Sequence, residues 1–98
     1  MDWLIPWQAE SSPQAVAELA REIRSGHPLW QIPVRVLARR QDSDDVLFAV
    51  DDGTGRVAVV HLTYQVELDP RWPSVALFDS IEDFRRRRMQ ADHEGFAT

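Results

Sequence analysis

Residues 46–64 read VLFAVDDGTGRVAVVHLTY, and the way this stretch folds decides the architecture. The runs 46–51 (VLFAVD) and 56–64 (RVAVVHLTY) are rich in Val, Leu, Phe and Tyr, the residue types that fit a pleated surface. Between them, DDGTG offers Gly53 and Gly55, which can take the positive φ that a tight hairpin requires. The G-x-G in this turn joins strand to strand, so no helix N-terminus is there to receive a phosphate. Upstream, residues 32–40 (IPVRVLARR) read as another strand, reached through the short turn QDSDD. The three form an antiparallel meander. In the first of them Val34, Val36 and Ala38 alternate with Arg35, Leu37 and Arg39, which predicts one buried face and one partly wet face. The next two strands are apolar on both sides, so the sheet is expected to be covered, at least in part, on its second face as well.

Helices flank this meander. Residues 11–26, SSPQAVAELAREIRSG, place Ser12 as N-cap, Pro13 at the first helical position and Gly26 just past the end. Val16, Leu19, Ala20 and Ile23 form an apolar stripe, with Glu18, Arg21, Glu22 and Arg24 mostly outside it. In GHPLWQIP, Pro28 and Pro33 prevent helix continuation, and the segment reads as a connector delivering Trp30 to the core. QVELDPRWPSVALF reads as a loop with one short strand, pinned by Trp72 and Phe78. At DSIEDFRRRRMQA a second helix begins, capped by Asp79 or Ser80, with Glu82 or Asp83 completing a capping box. The expected fold is a single α+β domain over residues 1–98. It has an antiparallel sheet of three to four strands, an N-terminal helix packed on one face and a C-terminal helix near an edge.

Composition narrows the function classes. The chain has 98 residues, 44% of them hydrophobic, which suffices for one core and not two. With no cysteine, disulfides and thiolate metal sites are excluded, and a reducing compartment fits. The start, MDWLIPWQAE, lacks the basic n-region and unbroken apolar run of a signal peptide, so a cytoplasmic location is expected.

The residue types that carry chemistry are sparse. His27, His61 and His93 have no metal-ligand spacing, and a structural hydrogen bond is the simpler role for His61. No serine sits in a nucleophile elbow. No cofactor is implied, and enzymatic activity is not expected. The four arginines at 85–88 advance by about 100° each, so they spread around the helix instead of lining one phosphate backbone. Glu82 and Asp83 precede Arg86 and Arg87 by four residues, the stabilising orientation for an ion pair. A net charge of −5 opposes nucleic-acid affinity. In a meander, the turn at 41–45 and the exit from the third strand share one end, so Asp42, Asp44, Asp45, Glu67 and Asp69 are expected to gather there. Such an end would steer a basic partner. Trp3 and Trp7 form an N-terminal arm with no assigned role.

GHPLW, DDVLFAV, VAVVHLTY, DPRWP and FDSIEDF together resemble a set of small uncharacterised bacterial proteins in which HLTW and WP segments precede a terminal helix, with Tyr64 here in the place of tryptophan. Size and acidity also make the chain similar to bacterial immunity proteins, which cover the active sites of toxins. That likeness implies a non-enzymatic protein-binding module for a basic, toxin-like protein, with Asp42, Asp44, Asp45, Glu67 and Asp69 as its contact residues. Two alternatives remain open. One is a small enzyme or ligand-binding protein using His61, with Trp30, Tyr64 or Trp72 lining its pocket. The other is nucleic-acid binding through Arg85 and Arg88. A homo-oligomer is compatible with each.

Overall fold

The computed structural model describes residues 2–97 and shows an α+β fold built on one open antiparallel sheet. The strands are β1 (Trp7–Ala9), β2 (Val34–Arg40), β3 (Asp45–Val50), β4 (Val57–His61) and β5 (Val75–Phe78), ordered in space as in sequence. The meander at β2, β3 and β4 stands where the sequence places it. The sheet has five strands, against the three to four expected. The added β1 is only three residues long and buries only Trp7, too short for an alternation to register.

Helix α1 (Gln14–Glu22) covers one face of the sheet. Leu19 joins Val46, Phe48, Val50, Ala58, Val60 and Leu62 in a core cluster, with Ala15, Val16 and Ile23 packed against it. The helix is shorter than its punctuation implies. Pro13 is the boundary residue, with Ser12 Oγ accepting from Gln14 N at 3.3 Å, and the chain turns extended at Ile23 (φ −88°, ψ 153°). Gly26, at φ 98°, serves the turn that follows rather than the helix end. The buried stripe is also rotated. Ala20 is exposed and Glu22 is fully buried, so the core-facing line runs through Ala15, Leu19 and Glu22. The connector buries His27 and Leu29 and leaves Trp30 39% exposed, which reverses the expectation for that tryptophan.

The opposite face is covered by the C-terminal helix, not skirted at an edge. It runs as α2 (Ile81–Phe84), a π-helical turn (Arg85–Met89) and α3 (Gln90–Ala97). Ser80 Oγ accepts from Asp83 N at 3.0 Å, and Asp83 Oδ2 accepts from Asp79 N at 3.1 Å, so the start is capped from both sides. Phe84 and Met89 insert among Trp7, Ala38, Leu47, Val57, Val59 and Phe78. Trp7 and Phe78 both meet Phe84 edge to face, at centroid distances of 5.1 and 5.7 Å.

A bulge in β2 links the two cores. Val36 pairs with Phe48, but Ala38 pairs with Leu47, so Leu37 is the extra residue. Side-chain parity flips across it. Val34 and Val36 face α1, whereas Ala38 faces the C-terminal helix, which corrects the single face expected for all three.

Candidate functional site

The segment 62–74 between β4 and β5 has no regular structure of its own, and connections of about a dozen such residues inside a compact domain are commonly functional. It is tied to the end of α1 at four places. Glu22, with no exposed surface, accepts from Thr63 N at 2.8 Å, Thr63 Oγ1 at 3.1 Å and Tyr64 N at 2.8 Å. Arg24 Nε donates to the Glu67 carbonyl at 3.0 Å. A methyl group at Gly26 would stand 3.2 Å from the Pro70 ring, and the φ of 98° there also favours glycine, so the chain passes close to Pro70 at this point. His27, also buried, bonds the Pro73 carbonyl through Nε2 at 2.9 Å while its Nδ1 accepts from Leu29 N at 3.0 Å. The buckle holds Tyr64 at φ 58°, a left-handed conformation that a bulky residue adopts only when its surroundings impose it.

Glu18 lies one turn before Glu22 on the same helix. Burial, and then the Glu18 carboxyl, push Glu22 above the ordinary glutamate range, against the opposing pull of the Thr63 and Tyr64 donors. Glu18 moves the other way, lowered first by its bond with Glu22 and then by Arg21.

The buckled loop carries half of the exposed large apolar side chains among the described residues. Leu68 is 83% exposed, Val66 54%, Tyr64 52% and Trp72 48%. Trp72 does not pin the loop to the core; Phe78 alone of that expected pair is buried.

The acidic residues singled out in the sequence lie along the turn beside this loop and within it. Leu62 N donates to the Asp44 carbonyl, which sets the 41–45 turn against the end of β4. Their charges are largely compensated. Asp42 is bridged by Arg40 at 2.8 Å, Asp45 by Arg88 at 3.1 Å, and Asp69 by Arg71 at 3.0 Å, while Glu67 Oε1 accepts from Thr63 Oγ1 at 3.4 Å. Asp44 is exposed.

His61 is exposed at the end of β4, and its Nδ1 lies 2.9 Å from Asp45 Oδ1. From there a chain of charges runs into the C-terminal helix. Arg88 spans Asp45 and Asp92, and Asp92 Oδ2 also receives Trp7 Nε1 at 2.9 Å and approaches Arg40 at 3.4 Å. This network gives the N-terminal arm its role: Trp7 is a core residue whose polar edge is satisfied by the last helix. An open cavity of about 310 Å³ beside His61 is lined by Asp45, Ser74, Val75, Ala76 and Arg88. Trp30, Tyr64 and Trp72 do not line it, contrary to the expected pocket.

The arginine run is mostly engaged in ion pairs. Arg85 bonds Glu82, Arg87 bonds Asp83 at 3.1 Å and lies over the Phe78 ring, and Arg88 belongs to the network above. Glu82 selects Arg85, three residues on, where Arg86 was expected. His93 Nδ1 meets the Ile5 carbonyl at 2.7 Å, so the three histidines serve three separate places. Among the described residues no group of three or more His, Asp or Glu is placed to hold a metal ion, and no helix is long and apolar enough to cross a membrane. Compared with protein-family models, curated proteins and solved structures, the chain matches none.

Sequence reasoning missed Glu22, Arg24 and His27, the residues that shape the loop. One signal was present. Ala15, Leu19 and Glu22 follow i, i+4, i+7 spacing, so a core stripe through Leu19 can include Glu22 as readily as Ala20.

Proposed function

We propose that the chain is a protein-binding module whose contact surface is the 62–74 loop, and that its partner is a basic protein of the kind an immunity protein neutralises. The observation that carries this reading is the pairing of exposure with restraint. Tyr64, Val66, Leu68 and Trp72 stand in solvent on a backbone clamped by Glu22 at one end and His27 at the other. A loop fixed before binding loses little conformational entropy on association, and exposed aromatic anchors supply a disproportionate share of interface energy.

Glu67 and Asp69 border the apolar positions, and the turn acids Asp42, Asp44 and Asp45 sit beside the loop's first residues. With a net charge of −5, the molecule favours a cationic partner and speeds its approach at low salt. The arginines bound to Asp42, Asp45 and Asp69 set the limit of this effect, so apolar contact supplies affinity and charge supplies rate. The reading requires no bond-making chemistry and suits a cysteine-free chain working in the cytoplasm.

The test is affinity capture with the immobilised chain and with the Leu68→Ser/Trp72→Ala double variant, at low and high salt, read by quantitative mass spectrometry. A basic protein retained by the parent chain at near-equal stoichiometry, weakened by salt and lost with the double variant, is the expected result. Equal recovery on both chains would remove the loop from the interface.

A further inference from the structure

Strand register places three residues in one row that the sequence separates widely. Asp45 and His61 are cross-strand partners between β3 and β4. Val60 pairs with Val75, and His61 N donates to the Ser74 carbonyl at 3.1 Å, so Ser74 stands opposite His61 on β4's other side. Side chains directly opposite one another in an antiparallel pair share a face, with Cβ atoms about 5 Å apart. The row Asp45, His61, Ser74 thus lies across three adjacent strands on the face covered by the C-terminal helix, at the rung beyond Val59 and Ala76.

We propose that this row is a nucleophilic site in which Ser74 is the attacking hydroxyl and His61 its base, and that it takes short, uncharged acyl esters. His61 is oriented as such a base must be. The tautomer in which Nδ1 donates to Asp45 Oδ1 leaves the Nε2 lone pair free to accept. Asp45 cannot swing away, because Arg88 holds its second oxygen at 3.1 Å and is itself fixed by Asp92 at 2.9 Å. These two are positioning residues. Ser74 and His61 are exposed and line the same 310 Å³ cavity, whose aliphatic wall of Val59 and Ala76 suits a short acyl chain. Arg88 uses Nε and one terminal nitrogen on the aspartates, and its other terminal nitrogen is the donor available to a developing oxyanion.

The reaction balances without a cofactor. Ser74 Oγ bonds the ester carbonyl carbon as its proton passes to His61 Nε2; the C–O bond to the alcohol breaks, and the alcohol leaves with that proton. Water then attacks the acyl-serine, gives a proton to Nε2, and releases the acid with Ser74 restored. The Ser74 hydroxyl and His61 Nε2 are not bonded in the free protein, and their hydrogen bond forms when substrate fills the cavity, since nucleophile–base contacts are commonly long before substrate binds.

Ser74 closes the 62–74 loop but lies apart from its exposed apolar side chains, and the experiment reads no partner, so its failure and that of the binding surface are distinguishable. The full chain is treated with an alkyl fluorophosphonate, which would phosphonylate Ser74 Oγ as fluoride leaves and the proton passes to His61, and the adduct is mapped by mass spectrometry. Hydrolysis of p-nitrophenyl acetate is followed in parallel. The expected result is an adduct at Ser74, abolished in Ser74→Ala, reduced at least tenfold in both His61→Ala and His61→Gln, and unchanged in the exposed control Ser25→Ala, with ester turnover following the same order. His61→Gln keeps a polar side chain against Asp45, so that a folding defect in His61→Ala is recognised by comparison of melting curves. No adduct at Ser74, an adduct spread across several serines, or labelling that survives both His61 variants overturns the proposal.

Discussion

Glu22 and Asp92 are the two carboxylates on which the molecule's order depends, one on each face of the sheet, and they are satisfied by different means. Glu22 accepts from backbone N–H groups of the 62–74 loop and is fully buried. Asp92, whose side chain is 15% exposed, accepts from the Arg88 guanidinium and an indole and forms an ion pair with Arg40. Backbone donors cannot rotate away or find water once the carboxylate is gone; arginine side chains can do both. The first arrangement fixes the path of a chain. The second fastens a finished helix to a finished sheet.

Replacing Glu22 is therefore the largest perturbation expected. Glu22→Ala leaves the amides of Thr63 and Tyr64 without partners at a buried site, and should cost about 3 kcal/mol in urea denaturation. The Asp92→Ala counterpart should cost less, about 1.5 kcal/mol, because Arg40 keeps Asp42, Arg88 keeps Asp45, and their free ends reach water. Equal losses would abolish the distinction between the two sites.

A smaller effect sharpens it. The Glu22 carboxyl is held above its ordinary value of 4.5 in the folded state, so its contribution is fully present below that value and is lost as pH rises through the folded pKa. Glu18 is lowered and runs opposite, contributing above its ordinary value and losing that contribution in acid. Glu22→Gln mimics the protonated form and leaves Glu18 a hydrogen-bond donor. Subtracting its stability from the parent's across a pH series should give a difference that falls steadily from acid toward neutral pH. A flat or rising difference would show that Glu22 is ionised throughout.

Smallest of all should be the arginine run. Arg87→Ala removes an exposed i,i+4 pair and a contact over Phe78, and should change stability by less than about 0.5 kcal/mol. Arg85 and Arg88 are already occupied by Glu82, Asp45 and Asp92, so fluorescence anisotropy with DNA or RNA should stay flat across a salt titration.

The difference between the two carboxylates also marks what a sequence can disclose. The short apolar runs rich in Val, Leu and Phe within 46–64 and the glycines of DDGTG are local signals, and β3, the turn and β4 follow from them directly. The expectation of a sheet covered on both faces came from the same strands and is met by α1 and the C-terminal helix. By contrast, the three residues of β1 are too few to carry a period, and the Leu37 bulge is invisible without knowing what β2 pairs with. The functional residues are harder still. Glu22 and Thr63 are far apart in the chain, and a glutamate inside a charged helix reads as solvated until the partner that desolvates it is known. Asp45, His61 and Ser74 likewise become a row only through sheet register. His61 could be assigned a hydrogen-bonded neighbour from its place in β4, though not Asp45 by name.

Amide hydrogen exchange at Thr63 and Tyr64, resolved by NMR in the parent chain and in Glu22→Ala, addresses the clamped loop most directly. Both amides lie outside every strand and helix, so unclamped they would exchange at the rate of free peptide. The account predicts strong protection at both positions in the parent chain, and loss of most of it in the variant while the amides of β3 and β4 keep theirs. Fast exchange at Thr63 and Tyr64 in the parent chain would mean that Glu22 does not hold the loop, and the preformed binding surface would fall with it.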